Sequence, residues 1–479
     1  MKIELLGNTS REELERRIQK VAAAGKLSRF KGDIFQTIES CNDYEKNEKL
    51  IERIIKMGHK SITEHDYLVF AIKDCTIIIE HLIIGYRLTS FTIKSRREVD
   101  FRKEGFYVPK FRNKKGEAHE KQAELMEEFT NHCTKLFNAY GDIVDEGIKV
   151  EDARFLLPYS YHCNIMMGLD ARELESMIIA FKYGPLSKIT EVKEFGEKLY
   201  DIVKKYVPYL VPNIERQKTN TQNSFEYLES NEKRPDIKIV DKPKLISCTP
   251  NADDVILASS IMYHYQCSQD EAYRILEDME KKDKNARTKL MKNIVHKPER
   301  RELEQVTYSF QIPISLSILT HLTRHRMHSL LIPEFTPLWN LENYVTPASI
   351  KANEKTNKIF QKFVKENIEL CNKFKEEGVM DEDLVYFYLG AQMLNTVTTI
   401  NGRIIQWMAR MRCCNKAQWQ IRYIFQEIVK LVKETAPLLG ENLGATCMTD
   451  RYCNEGRESC GLIDKLLELD QEKAEENNN

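Results

Sequence analysis

Two short stretches carry the side chains best suited to chemistry. Arg324-His325-Arg326 is the densest grouping of guanidinium and imidazole in the chain. It follows an apolar run, Ile314 to Leu322, which places it at the end of a helix. Two guanidiniums there offer planar forks of donors to a phosphate or carboxylate, and His325 can hydrogen-bond a heterocycle. A cationic helix C-terminus is also favoured by the macrodipole, so the triad alone does not fix its ligand. The second stretch holds Asn401, Arg403 and Arg412 on one predicted helix, among Ile404, Ile405, Met408 and Met411. From Arg403 to Arg412 the helix turns about 2.5 times, so the two guanidiniums leave it on different sides. Arg412 can face a pocket while Arg403 meets another partner.

Other clusters are weaker. Gly58-His59-Lys60-Ser61-Ile62-Thr63-Glu64-His65 holds two imidazoles and an acid. No third ligand follows at a recognisable metal spacing, so hydrogen bonding is expected there. Cys447, Cys453 and Cys460, with Cys413-Cys414 upstream, could hold zinc or an iron–sulfur cluster. They lack a C-x-x-C pair, and free thiols are the expected state. No metal site is predicted. The sequence has no G-x-G-x-x-G, no G-x-x-x-x-G-K-[ST] and no G-x-S-x-G, so a bound nucleotide must be held without glycine cradles.

The elements that position these residues occur twice. Tyr67-Leu68-Val69-Phe70-Ala71-Ile72 and Val306 to Ile312 read as strands, each followed by an apolar helical stretch. Ile189, Val192, Phe195, Leu199 and Ile202 recur at helical spacing before Pro208; Ile421, Ile424, Ile428 and Leu431 do so before Pro437. Asp170-Ala171-Arg172 echoes Asn401-Gly402-Arg403, and Tyr86-Arg87-Leu88-Thr89-Ser90 echoes His325-Arg326-Met327-His328-Ser329. The echoes keep their order and lie about half a chain apart, which reads as a tandem duplication. The expected fold class is α+β: two homologous domains, each a twisted antiparallel sheet packed with long helices. The expected divisions are 1–211 for the first domain, 212–244 for a polar linker, 245–469 for the second, and 470–479 for a disordered acidic tail.

Composition narrows the class. A chain of 479 residues, 42% hydrophobic, can fill more than one core. With 72 Lys and Arg against 73 Asp and Glu, the net charge of -1 argues against a general nucleic-acid binder. The N-terminal sequence Met1-Lys2-Ile3-Glu4 lacks signal-peptide architecture, and no apolar run is long enough to span a bilayer. A cytoplasmic protein without membrane partners is expected, with its cysteines reduced.

Taken together, these motifs resemble the flavin-dependent thymidylate synthase family. The first copy has Gly58-His59-x-Ser61-x-x-Glu64-His65, then Arg87-x7-Ser95 with Arg97, then Ala153-Arg154-x-x-Leu157-Pro158. The second has Arg324-His325-Arg326, Ser329, Asn401-x-Arg403 and Met411-Arg412-x4-Ala417-Gln418-x-x-Ile421-Arg422. The losses are complementary. Gly85 and Tyr86 replace the first Arg and the His of the triad in copy one, and Phe181 stands where Arg412 stands in copy two. Copy two has Glu334, Thr336 and Val385 where copy one has Ser95, Arg97 and Arg154.

The resemblance implies methylation of dUMP to dTMP, with methylenetetrahydrofolate and NADPH as co-substrates and FAD as cofactor. It implies that Arg324, His325, Arg326, Asn401, Arg403, His59, Ser61 and Glu64 contact the flavin. Arg87, Ser95, Arg97 and Arg154 would hold dUMP. Arg412 would lie against the pyrimidine as the catalytic group. Family members are homotetramers with shared sites, so the resemblance implies a homodimer acting as a pseudo-tetramer of four domains. A related flavin-dependent pyrimidine-nucleotide enzyme and a non-catalytic nucleotide-binding paralogue are the alternatives.

Overall fold

Antiparallel strands and long helices build the protein, and each half of the sequence contributes one four-stranded sheet. The computed structural model describes residues 1–6, 11–27, 34–217, 236–333, 335 and 341–478. In the first sheet β1 (Lys2–Leu5), β2 (Tyr67–Thr76), β3 (Ser90–Ile93) and β4 (His162–Asp170) lie in the order β1-β2-β4-β3. In the second, β5 (Lys244–Cys248), β6 (Thr307–Ser315), β7 (Ser329–Leu331) and β8 (Met393–Asn401) repeat that order as β5-β6-β8-β7. Both central pairs are antiparallel, Tyr67 facing Asp170 and Thr307 facing Asn401. The predicted strands and the α+β class are therefore found, in duplicate.

The two copies also share the small devices that set their helices. Asp170 caps helix Ala171–Tyr183 by accepting from the Glu173 N–H at 2.9 Å. Asn401 caps helix Gly402–Arg412 by accepting from the Ile404 N–H at 2.9 Å. Such caps satisfy donors that the first turn leaves unpaired. At the other end of the central strand, Thr76 donates its backbone N–H and hydroxyl to Glu191 at 2.9 and 2.7 Å. Ser315 makes the same two contacts to Gln420, at 3.4 and 2.5 Å.

The compact units do not follow the repeat. One unit comprises Met1–Ile237 with Phe335–Gln392, and the other Lys238–Glu334 with Met393–Asn479. A piece of the second copy thus belongs with the first. Its helix Glu354–Glu376 packs on helix Gln122–Asp145, each burying an apolar stripe that water would penalise. Phe111 meets Phe374 and Phe129 meets Phe387, both with ring centroids 5.0 Å apart. Buried Asn367 bridges the pair, bonding the His132 ring at 3.0 Å and the Phe387 carbonyl at 2.7 Å. Arg112 grips Asp383 through its backbone N–H and its guanidinium.

Two boundary expectations change. The expected linker begins inside a helix, Val211–Gln217, where Asn213 and Ile214 are buried; its stretch 218–235 lies outside the described residues. The expected disordered tail instead continues helix Leu462–Asn478. Its Leu462, Leu466 and Leu467 give it helix formers ahead of the acidic end. Among the described residues, no helix is long and apolar enough to cross a membrane.

Candidate functional site

In the second unit, Arg324 ends helix Leu316–Thr323 as its C-cap, and the chain turns so that His325 points inward with 1% of its surface exposed. Arg324 stays exposed and Arg326 half-exposed. Arg412, from the last turn of helix Gly402–Arg412, donates its Nε–H to His325 Nε2 at 2.9 Å. A second arginine N–H reaches the His321 carbonyl at 3.1 Å. Burial, reinforced by Arg412, His328 and Arg324, pushes the His325 pKa down to about 2. The ring is therefore neutral. With Nε2 accepting from Arg412, the ring proton sits on Nδ1, and that buried atom has no hydrogen-bond partner among the described residues. Such an orphan donor is costly unless something accepts from it.

Arg403 leaves the same helix on another side, as the spacing predicts, and pairs with Glu304. The first copy repeats that contact as Arg172 with Glu64. The pair in both copies marks Arg403, Glu64 and the capping Asn401 as parts of the repeat's framework. His59 precedes the short helix Lys60–His65, Ser61 lies in its first turn, and both are exposed.

The first unit gathers a different set. Arg97 donates to the Glu151 carboxylate at 2.8 Å, and its backbone N–H reaches Ser95 Oγ at 3.3 Å. Arg154, 4% exposed, donates to the Glu151 carbonyl at 3.1 Å. Beside them Arg96 is buried in a two-armed ion pair with Glu80, at 2.6 and 2.7 Å. Burial, and then the positive Arg96, lower the Arg154 pKa to about 10. Three guanidiniums thus crowd around Glu151 and Glu80, an excess of positive charge that suits an added anion. Arg87 is exposed in the turn before β3. Glu334 and Thr336, the second copy's replacements for Ser95 and Arg97, lie outside the described residues.

Several participants escaped the sequence reading. Trp407 meets His325 edge-on, 4.7 Å between centroids, and is 46% exposed. Arg96 and Glu80 sat beside Arg97 and inside an apolar run, but only the fold joins them across 16 residues. A charged residue inside an apolar helix was the available signal.

The comparisons with known proteins agree with the repeat. A family model described as thymidylate synthase complementing protein matches residues 12–209 and again 244–438. A flavin-dependent thymidylate synthase from Geobacter sulfurreducens is 33% identical over 124 residues, 26% of this chain and 51% of that protein. One from Clostridium tetani is 26% identical over 251 residues, 48% of this chain and 96% of that protein. The chain spans about half the length of the first relatives it matches, 51% and 52% for those from Geobacter sulfurreducens and Pyrococcus furiosus. Among solved structures, the UMP/dUMP methylase PolB from Streptomyces cacaoi, bound with 5-Br dUMP, is 21% identical. It covers 46% of this chain and 94% of its own, with a TM-score of 0.37.

Proposed function

Because the chain belongs to the thymidylate synthase complementing protein family, with its domain present twice, we propose that it is an FAD-dependent thymidylate synthase whose active sites use complementary halves of the repeat. The reaction is reductive methylation of dUMP to dTMP, with methylenetetrahydrofolate giving the carbon and NADPH the reducing equivalents. One observation carries this reading. The His325–Arg412 pair survives in the second copy, and the Ser95, Arg97 and Arg154 set survives in the first.

The residues present fit a flavin. The partnerless Nδ1–H of His325 is a donor for a ring nitrogen or carbonyl, while Arg324 and Arg326 offer forks to the diphosphate. His59 and Ser61 add exposed polar groups, and Glu64, Asn401 and Arg403 contribute the atoms their structural bonds leave over. When bound, the flavin supplies the hydride, and the protein supplies position and electrostatics. Arg97 and Arg154, with Ser95, hold the nucleotide phosphate, and Arg87 joins them at the rim. Arg412 is fixed by His325 and the His321 carbonyl. It presents its positive charge to the pyrimidine as negative charge develops on the ring. A fixed charge of this kind needs no reorganisation at the moment of reaction.

We take two chains to form the working assembly, four homologous domains with two complete sites. The test is a visible absorption scan of the purified protein before and after NADPH, with dUMP present, followed by assay for dTMP. A flavin spectrum that bleaches, with dTMP formed once folate is added, supports the reading. A colourless protein that takes up no FAD overturns it in favour of a non-catalytic nucleotide-binding role.

A further inference from the structure

Ser95 and Arg97, two of the groups assigned to the nucleotide phosphate, do not lie on a strand. They follow β3 at a tight turn, residues 96–98, closed by the Val99 N–H donating back to the Ser95 carbonyl at 3.1 Å. Connecting segments of this kind move more freely than the strands they join, so two phosphate donors placed there need an anchor. The residue between them supplies it. Arg96 turns inward, 8% exposed, while Ser95 is exposed and Arg97 half-exposed. Its two terminal nitrogens donate to the two carboxylate oxygens of Glu80, at 2.6 and 2.7 Å. Its guanidinium carbon lies 5.8 Å from the centre of the Tyr161 ring.

Glu80 stands out in its setting. It belongs to helix Ile77–Ile84, among buried Ile77, Ile78, Ile79, Ile83 and Ile84, and has no exposed surface. Taking a carboxylate and a guanidinium out of water costs about what their attraction returns, so stability alone gives little reason for the pair. The second copy shows the apolar solution. There helix Leu316–Thr323 corresponds to helix Ile77–Ile84, with Leu319 in the place of Glu80 and Phe335 in the place of Arg96. Both are buried. Phe335 packs against the rings of His81 and Tyr159, with centroids 5.7 and 5.9 Å away. The ion pair is thus present in the copy that has Ser95, Arg97 and Arg154. It is replaced by packing in the copy that has Glu334, Thr336 and Val385 instead.

We propose that Glu80 and Arg96 are positioning residues for nucleotide binding, a buried clamp that fixes the turn so that Ser95 and Arg97 stand ready for the phosphate. The inference rests on the function proposed above, because it takes the ligand of Ser95 and Arg97 to be the phosphate of dUMP. Arg96 acts through the turn and not on the ligand, since its terminal nitrogens are engaged by Glu80. A guanidinium held on both arms fixes orientation as well as distance, which a lysine at the same place cannot do. Such preorganisation appears as affinity, because a loose turn must be ordered when the ligand binds.

The test follows dUMP binding by calorimetry, kcat at saturating dUMP and Tm in the FAD-loaded protein. It compares wild type, Arg96→Lys and the double variant Glu80→Leu/Arg96→Met. The double variant exchanges the pair for apolar side chains of similar bulk and should keep or raise the Tm. Its Kd for dUMP should rise about 10-fold, the worth of one charge-assisted hydrogen bond, with kcat at saturation near wild type. Arg96→Lys keeps the charge without the fork, and its Kd should fall between the two. Wild-type dUMP affinity in the folded double variant overturns the inference. So does a joint loss of Tm and dUMP affinity in the double variant, which marks the pair as a core element only. Wild-type protein that binds no dUMP overturns the functional reading itself, and the inference with it.

Discussion

The same two positions of the repeat are built twice from opposite chemistry. In the second copy His325 and Arg412 share a 2.9 Å hydrogen bond beside half-exposed Trp407. In the first, Tyr86 and Phe181 meet edge-on with centroids 5.8 Å apart, and Phe181 packs further on Phe195. Replacing a buried polar pair by apolar groups of similar bulk removes a desolvation penalty while keeping the volume filled. The reverse exchange occurs at Arg154, whose counterpart Val385 is fully buried. At these positions each copy packs apolar or aromatic side chains where the other carries polar ones.

The largest effect is expected from breaking the retained half. Arg412→Ala should lower kcat by about 10²–10³ while leaving flavin bound, as read by steady-state rates and the visible spectrum. Its counterpart Phe181→Ala should cost stability, about 3–5 kcal/mol for a buried phenylalanine, and leave kcat of the folded protein near wild type. Comparable losses of kcat in both variants would erase the distinction between the copies.

Next comes the nucleotide half. Arg154→Met should raise KM for dUMP about 10- to 100-fold, the worth of a charge-assisted hydrogen bond, with a smaller change in kcat. Val385→Arg should not tighten binding. It places a charge at a site with no exposure and should lower the Tm instead. Phe181→Arg should likewise fail to create a second site, because Gly85 and Tyr86 remain.

The smaller effects concern pH. Burial raises the Glu191 pKa to about 7, above its unfolded value of 4.5. The folded state therefore holds its proton longer, and stability falls as pH rises from about 4.5 through 7. Gln420 fills the same place in the second copy without a titrating group. Glu191→Gln should remove this slope in urea titrations run across that range. His81 has the opposite sign. Burial lowers its pKa to about 3, so its contribution is present above the unfolded 6.5 and is lost as pH falls toward 3. His81→Phe should flatten that acid limb; an unchanged limb would show that His81 is not its source.

Much of this was legible in the sequence because its signals are local. An apolar run marked Tyr67 to Ile72, alternation marked Val306 to Ile312, and helical spacing separated Arg403 from Arg412 onto different partners. The substitutions at Tyr86, Phe181 and Val385 could be read by laying one copy on the other. What stayed hidden depends on long-range packing. That helix Glu354–Glu376 belongs with the first copy follows from the apolar faces it shares with Gln122–Asp145, which no local pattern assigns. The framework role of Arg403 emerged only when Arg172 and Glu64 were seen to make the same pair.

The division of labour between the copies is tested most directly by counting ligands. Equilibrium dialysis of the purified protein with FAD and with dUMP should give one of each per chain, although each chain carries two copies of the domain. Two of each per chain would show both copies to be complete, and none would show both to be lost; either result contradicts the account.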